Sequence, residues 1–197
     1  MILIATRNRH KLEEMRLALE GLGIELRSAF DFADLPDVVE DADTLEGNAL
    51  KKARETFTIT GITSVADDTG LEVDALGGRP GVWSARYAGE GATYAMNVDK
   101  LLAELSDVPI DRRTARFRTV IAVAGPEGEW MVDGVCEGMI LTERVGDAGF
   151  GYDPVFRPEG YDRSFAEMTM EEKNLISHRG KALKAFRDAY PTARPLS

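Results

Sequence analysis

The chain has 197 residues, 44% of them hydrophobic and 29% charged, the balance of a globular protein long enough to bury a real core. A formal charge of −10 at pH 7 argues against a nucleic-acid polymer as partner, because such proteins carry basic surfaces. No apolar run approaches the ~20 residues of a membrane span, which excludes a membrane role of that kind. Met1-Ile2-Leu3-Ile4 lacks the basic start and the long apolar region of a signal peptide. Cys136 is the only cysteine, so an internal disulfide is excluded and a cytoplasmic location is expected.

Met1–Ala5 reads as a short apolar strand, followed by a polar turn over Thr6–His10. Leu12, Met15, Leu19 and Leu22 recur at helical spacing and predict an amphipathic helix over Lys11–Glu20, closed by Gly21 and Gly23. Ile24–Ser28 is a candidate second strand, and the acidic stretch Asp31–Asp43, broken by Pro36, reads as loop. Thr44 is placed to cap a second helix with Leu45, Ala49, Ala53 and Phe57 on its apolar face. Thr63–Ala66 predicts a buried strand that ends in Asp67 and Asp68 and turns at Thr69-Gly70. Thr93 caps a third helix running to about Leu105. Arg116–Ala124 and Trp130–Leu141 form a hairpin joined by Gly125-Pro126-Glu127-Gly128. The glycine-rich loop Gly146–Asp153 comes before a final helix from about Ser177 to Tyr190, with Leu183, Phe186 and Tyr190 on one face. This order predicts a mixed α/β architecture in a single domain over residues 1–197, since no repeat or linker divides it.

Four constellations could carry chemistry. Adjacent aspartates on a strand face opposite ways, so one of Asp67 and Asp68 can anchor while the other enters a site. Carboxylates at a strand end suit Mg²⁺ and can orient an attacking water. The turn Thr6-Arg7-Asn8-Arg9-His10-Lys11 gathers backbone N–H groups, a helix dipole and cations, the physics of a phosphate cradle. Lys51 and Lys52 offer a further cation near the polar flank of their helix. Phe150, Gly151, Tyr152 and Asp153 suit the stacking and hydrogen bonding of a base, and Lys173, Ser177, His178 and Arg179 cluster donors around a helix start.

In order and spacing these blocks resemble the inosine/xanthosine triphosphate pyrophosphatases, which hydrolyse non-canonical purine nucleotides. The resemblance rests on VADDTGLEVDALGGRPGVWSARYAG over Val65–Gly89, GFGYDP over Gly149–Pro154 and EKNLISHRG over Glu172–Gly180, and it covers nearly the whole chain. It implies an elongated, mixed-sheet α/β protein with two lobes flanking a substrate cleft, usually a homodimer, that uses Mg²⁺ and releases pyrophosphate. It makes Asp68 the general base and a metal ligand, and assigns the triphosphate to Thr6, Arg7, Asn8, Arg9, His10, Lys11 and Lys52. Thr69 would contact substrate beside Asp68, while Phe150, Gly151, Tyr152 and Asp153 would stack and orient the purine. Lys173, His178 and Arg179 would read its six-position oxygen, with Ser177 in support.

Two positions depart from the family pattern. The glutamate common before Asn48 is replaced by Gly47, leaving Asp67 or water as the expected second metal ligand. Restoring that acid with Gly47→Glu is expected to leave activity similar or to tighten metal dependence. The glycine common after Thr6 is replaced by Arg7, which adds a charge near the phosphates or points to solvent. Two rival functions are a pyrophosphatase for modified pyrimidine triphosphates and a nucleotide sensor without turnover. The paired aspartates favour an enzyme, because a pure triphosphate binder gains little from negative charge there.

Overall fold

The computed structural model describes residues 1–20 and 23–190, so the expected helix closure at Gly21 and the place of Leu22 lie outside the described residues. Strand β1 (Ile2–Ile4) leads into helix α1 (Arg9–Leu19), whose Asn8 cap accepts from the backbone N–H groups of His10 and Lys11. That cap starts the helix earlier than the apolar periodicity suggests. Leu12, Met15 and Leu19 are buried as expected, but so is Glu14. Strand β2 (Leu26–Ser28) lies parallel to β1.

Helix α2 (Leu45–Thr60) is capped by Thr44 and closed by Gly61 in the left-handed region at φ 67°. Its buried face carries Asn48, Lys52 and Thr56 beside the apolar Leu45, Ala49 and Ala53. Two strongly polar side chains on a buried helix face need partners, and they point to a site.

Strand β3 (Ser64–Val73) corrects the sequence reading. It does not end at the aspartates but carries Asp67, Asp68, Thr69 and Gly70 in its middle. Pairing overrides the local turn signal: β4 (Pro80–Gly81) lies antiparallel on Leu71 and Glu72, and Ser84 Oγ accepts from the Leu71 N–H at 2.9 Å. Buried Leu71 and Val73 hold this extension in place.

Helix α3 (Tyr94–Glu104) follows its Thr93 cap. Strands β5 (Thr114–Gly125) and β6 (Gly128–Ile140) form the expected hairpin with a turn at Pro126-Glu127. Strand β7 (Phe156–Pro158), antiparallel to β6, and helix α4 (Met170–Ile176) are elements the sequence reading did not include. Thr169 caps α4 in a reciprocal bond pair with Glu172, and the extended backbone of Ser177 separates it from α5 (His178–Ala189).

Among the described residues seven strands make one mixed sheet in the order β2-β1-β3-β5-β6-β7, with β4 added on β3. The fold is therefore mixed α/β. The described residues form two compact units, the first from those within 1–68, 119–134 and 179–190 and the second from 69–118 and 135–178. Each has its own core. In the first, Ile2, Ile4, Met15, Val65, Ile121 and Phe186 pack together, and Trp130 stacks on Phe186 at 5.4 Å. In the second, Leu71, Leu101, Phe117, Ile140, Phe156 and Phe165 pack together, with Cys136 buried among them as expected of a small hydrophobe. No helix among the described residues is long and apolar enough to cross a membrane.

Candidate active site

In the first unit the two aspartates part company. Asp67 is 2% exposed and its Oδ2 lies 3.1 Å from Lys11 Nζ and 3.4 Å from Arg179 Nη2. Arg179 in turn forms an ion pair with Glu14 of α1 through Nη1. Burial alone would raise the Asp67 carboxyl, but Lys11, Arg179 and Lys52 outweigh it and hold it well below the usual carboxylate range. Asp67 is thus an anchor held in its ionised form by three cations.

Asp68, 5% exposed, has different neighbours. Its Oδ2 accepts from Asn48 Nδ2 at 3.2 Å, and its Oδ1 lies 3.6 Å from Lys52 Nζ. Here burial dominates and pushes the carboxyl upward, helped by the charge of Glu40 and only partly opposed by Lys52 and Lys11. Lys52 also donates to the Asp67 carbonyl at 2.6 Å and to Glu40 Oε1 at 2.9 Å. Burial works against the charge on Lys52, but Asp68, Glu40 and Asp67 more than compensate and keep it a cation. Four carboxylates (Glu14, Glu40, Asp67, Asp68) therefore face three cations (Lys11, Lys52, Arg179). One carboxylate is held ionised by its cations and its neighbour is raised by burial, so the two differ in environment although they are adjacent in sequence.

The Thr6–Lys11 turn does not converge on one point. Thr6 Oγ1 accepts from the Asn8 N–H at 3.2 Å, and Lys11 reaches Asp67. Arg7 and Arg9 turn to other partners, Arg7 to Asp37 and the Leu35 carbonyl, Arg9 to the face of Phe30 at 5.0 Å. His10 is exposed.

In the second unit the centre is Asp153, 3% exposed, whose Oδ2 accepts from the Phe150 N–H at 2.8 Å and from Lys173 Nζ at 2.7 Å. The Lys173 ammonium also sits 4.9 Å from the Phe150 ring centroid. Phe150 is partly exposed, and Tyr94 of α3 lies 5.9 Å away at a tilt of 43°. A Cβ at Gly149, whose φ is +75°, would fall 2.1 Å from Asp153 Oδ2. The glycine thus lets the loop's own carboxylate fold back against it. Thr69 lies in β3 at the start of this unit.

Other expectations are revised. Tyr152 is buried in the core and its hydroxyl donates to the Ser84 carbonyl at 2.9 Å, so its ring is a structural anchor and not a stacking face. Ser177 and His178 are both buried: Ser177 ends α4, and His178 stacks on Phe117 at 4.5 Å. Arg179 belongs to the first unit, with Asp67 and Glu14, and not with Lys173 and Asp153. Asp67, expected as a second metal ligand, is turned to cations. Sequence reading missed Glu14, Glu40, Asn48 and Tyr94. The polar residues interrupting the apolar faces of α1 and α2 were the available signal for Glu14 and Asn48. Glu40 lies in irregular chain with no periodicity to mark it.

The mixed α/β sheet agrees with the fold the resemblance implied. The chain belongs to the Ham1 family, whose profile matches residues 2–189. A protein of Desulfotalea psychrophila named dITP/XTP pyrophosphatase is 50% identical over 97% of this chain and 85% of its own length. A protein of the same name from Geobacter sulfurreducens is 48% identical over 95% of this chain and 94% of its own. The solved HAM1 protein of Coxiella burnetii superposes with a TM-score of 0.88 at 39% identity, covering 97% of this chain and 98% of that one. The dITP/XTP pyrophosphatase of Mycobacterium abscessus gives 0.77 at 48% identity, with coverages of 94% and 96%.

Proposed function

We propose that this chain hydrolyses non-canonical purine nucleoside triphosphates of the dITP and XTP kind to the monophosphate and pyrophosphate. The observation that carries the reading is the pair of neighbouring buried aspartates with different partners, Asp67 beside Lys11 and Arg179 and Asp68 beside Asn48 and Lys52. Membership of the Ham1 family and the names of relatives 44–50% identical support it.

In this mechanism Asp68 accepts a proton from a water that attacks the α-phosphorus, and pyrophosphate departs. Lys11, Lys52 and the N-terminus of α1, with Thr6 and Asn8, hold the phosphates and offset their charge. Positioned proton transfer contributes ~10²–10⁴-fold, so alignment and charge supply the larger share of the acceleration. Among the described residues no group of three or more acidic, histidine or cysteine side chains could cage a metal ion. Mg²⁺ does not need such a cage, because it commonly takes one or two carboxylates and completes its shell with water and substrate phosphate. Asp68 and Glu40, which share Lys52, fit that role and would hold it. When bound, it would neutralise phosphate charge and polarise the phosphoryl oxygens.

The base would stack on Phe150, and Lys173, oriented by Asp153, would donate to a six-position oxygen, which adenine lacks. Arg179, paired with Glu14 and Asp67, holds the carboxylate cluster in this reading and does not contact the base. The test is a nucleotide panel with Mg²⁺ that includes inosine, xanthosine, adenosine, guanosine and modified pyrimidine triphosphates, scoring pyrophosphate against orthophosphate. XTP and dITP should lead and release pyrophosphate. Orthophosphate release, a pyrimidine preference or binding without turnover would replace this reading. Assembly as a homodimer is the resemblance's own implication, and sedimentation tests it.

A further inference from the structure

Residues 35–42 adopt neither helix nor strand, yet they deliver Glu40 to Lys52. Chain of this kind is placed by its individual ties. Towards α2 the ties are Glu40 to Lys52 at 2.9 Å, Asp41 to Lys51 at 2.6 Å and the Ala42 N–H to Asn48 Oδ1 at 2.9 Å. At the other end Leu35 is buried and its N–H donates to the Phe32 carbonyl at 3.3 Å, and the tie from there to the β1–α1 turn comes from Arg7. Arg7 donates from Nη2 to the Leu35 carbonyl, and its Nε lies 2.5 Å from Asp37 Oδ1. Arg7 is itself fixed, between β1 and the Asn8 cap of α1. A planar guanidinium can grip a carbonyl and a carboxylate two residues apart at once, as neither lysine nor the glycine of the family pattern can.

We propose that Arg7 is a positioning residue. It pins Leu35 and Asp37 to the β1–α1 turn and so sets the reach of the segment that holds Glu40 at Lys52, beside Asp68. Glu40 lies three residues beyond Asp37, a tether of at most about 11 Å, so release at Asp37 reaches Glu40 directly. The inference rests on reading Glu40 and Asp68 as the carboxylates of the site. Because Arg7 and Asp37 are 39% and 81% exposed at their side chains, the tie is modest, and its loss should shift an equilibrium by about fivefold at most.

The experiment compares wild type, Asp37→Ala and Asp37→Glu by hydrogen exchange of the 36–42 amides and by kcat/KM for XTP. Asp37 faces solvent, so both variants should fold. Asp37→Ala should speed exchange across the segment and lower kcat/KM, each by up to about fivefold, while Asp37→Glu stays near wild type in both. Unchanged exchange in Asp37→Ala overturns the proposal. Faster exchange with kcat/KM unchanged or raised also overturns it, because Arg7 would then be idle or a phosphate contact that Asp37 had occupied. An Asp37→Glu variant as impaired as Asp37→Ala removes the carboxylate from the account and overturns it too. Exchange does not depend on which nucleotide is hydrolysed, so failure of this proposal and failure of the nucleotide panel are separate results.

Discussion

At the scale of single residues, two chemically identical neighbours are predicted to fail in opposite ways. Asp68→Asn keeps the shape and a hydrogen bond to Asn48 but loses the proton acceptor. It should melt near wild type and lose ~10²-fold or more in kcat, with nucleotide binding retained. Asp67→Asn leaves buried Arg179 and Lys11 short of a charge, and loss of one member of a buried pair typically costs about 3–5 kcal/mol. Urea unfolding should show that loss for Asp67→Asn and little of it for Asp68→Asn; equal losses would refute the division of roles. The pH dependences also differ in sign. The folded Asp67 carboxyl titrates below its unfolded value of about 3.9, so its contribution to stability is present above that value and is lost as pH falls towards the folded one. Burial raises Asp68 where Asp67 is lowered, so as pH falls turnover should be lost before the fold is.

At the scale of elements, α2 and the segment before it are fitted to each other through Gly47. A Cβ there would meet the Ala42 Cβ at 2.7 Å and the Thr44 Oγ1 at 3.1 Å. The glutamate common in the family is therefore excluded by this chain's own Ala42, and Gly47→Glu should not be tolerated as the sequence alone suggested. The smaller change Gly47→Ala makes a sharper test, because helix propensity alone would stabilise it by about 1 kcal/mol. The contact predicts the opposite: a lower melting temperature and a lower kcat/KM, both recovered by adding Ala42→Gly. A rise in melting temperature would show that the segment yields freely.

At the scale of the whole molecule, neither unit is a continuous stretch of chain. Strands β3, β5 and β6 each run from one unit into the other, and so does the His178–Arg179 bond. Phe186→Ala in the first core and Phe156→Ala in the second should each lower stability by about 3–5 kcal/mol, since both rings are fully buried. Because three strands are common to both units, each variant should still unfold in a single urea transition seen alike by fluorescence and circular dichroism. Two separated transitions in either variant would show that the units unfold independently.

The sequence by itself determined what depends on neighbours along the chain. The caps at Thr44 and Thr93, the apolar faces of α1 and α5 and the β5–β6 hairpin are local patterns, and the motif blocks around Asp68, Phe150 and Lys173 were legible as ordered residue types. Tertiary structure decided what depends on pairing and burial. Strand β3 continues through Asp67-Asp68-Thr69-Gly70 because β4 and the Ser84 hydroxyl satisfy its backbone, partners that no reading of those four residues contains. Whether a charged side chain meets solvent, a substrate or another charge is settled by distant chain. That is why Arg179 lies with Glu14, 165 residues away, why Glu40 reaches Lys52 from irregular chain, and why one of two adjacent aspartates is held ionised among cations while burial raises the other.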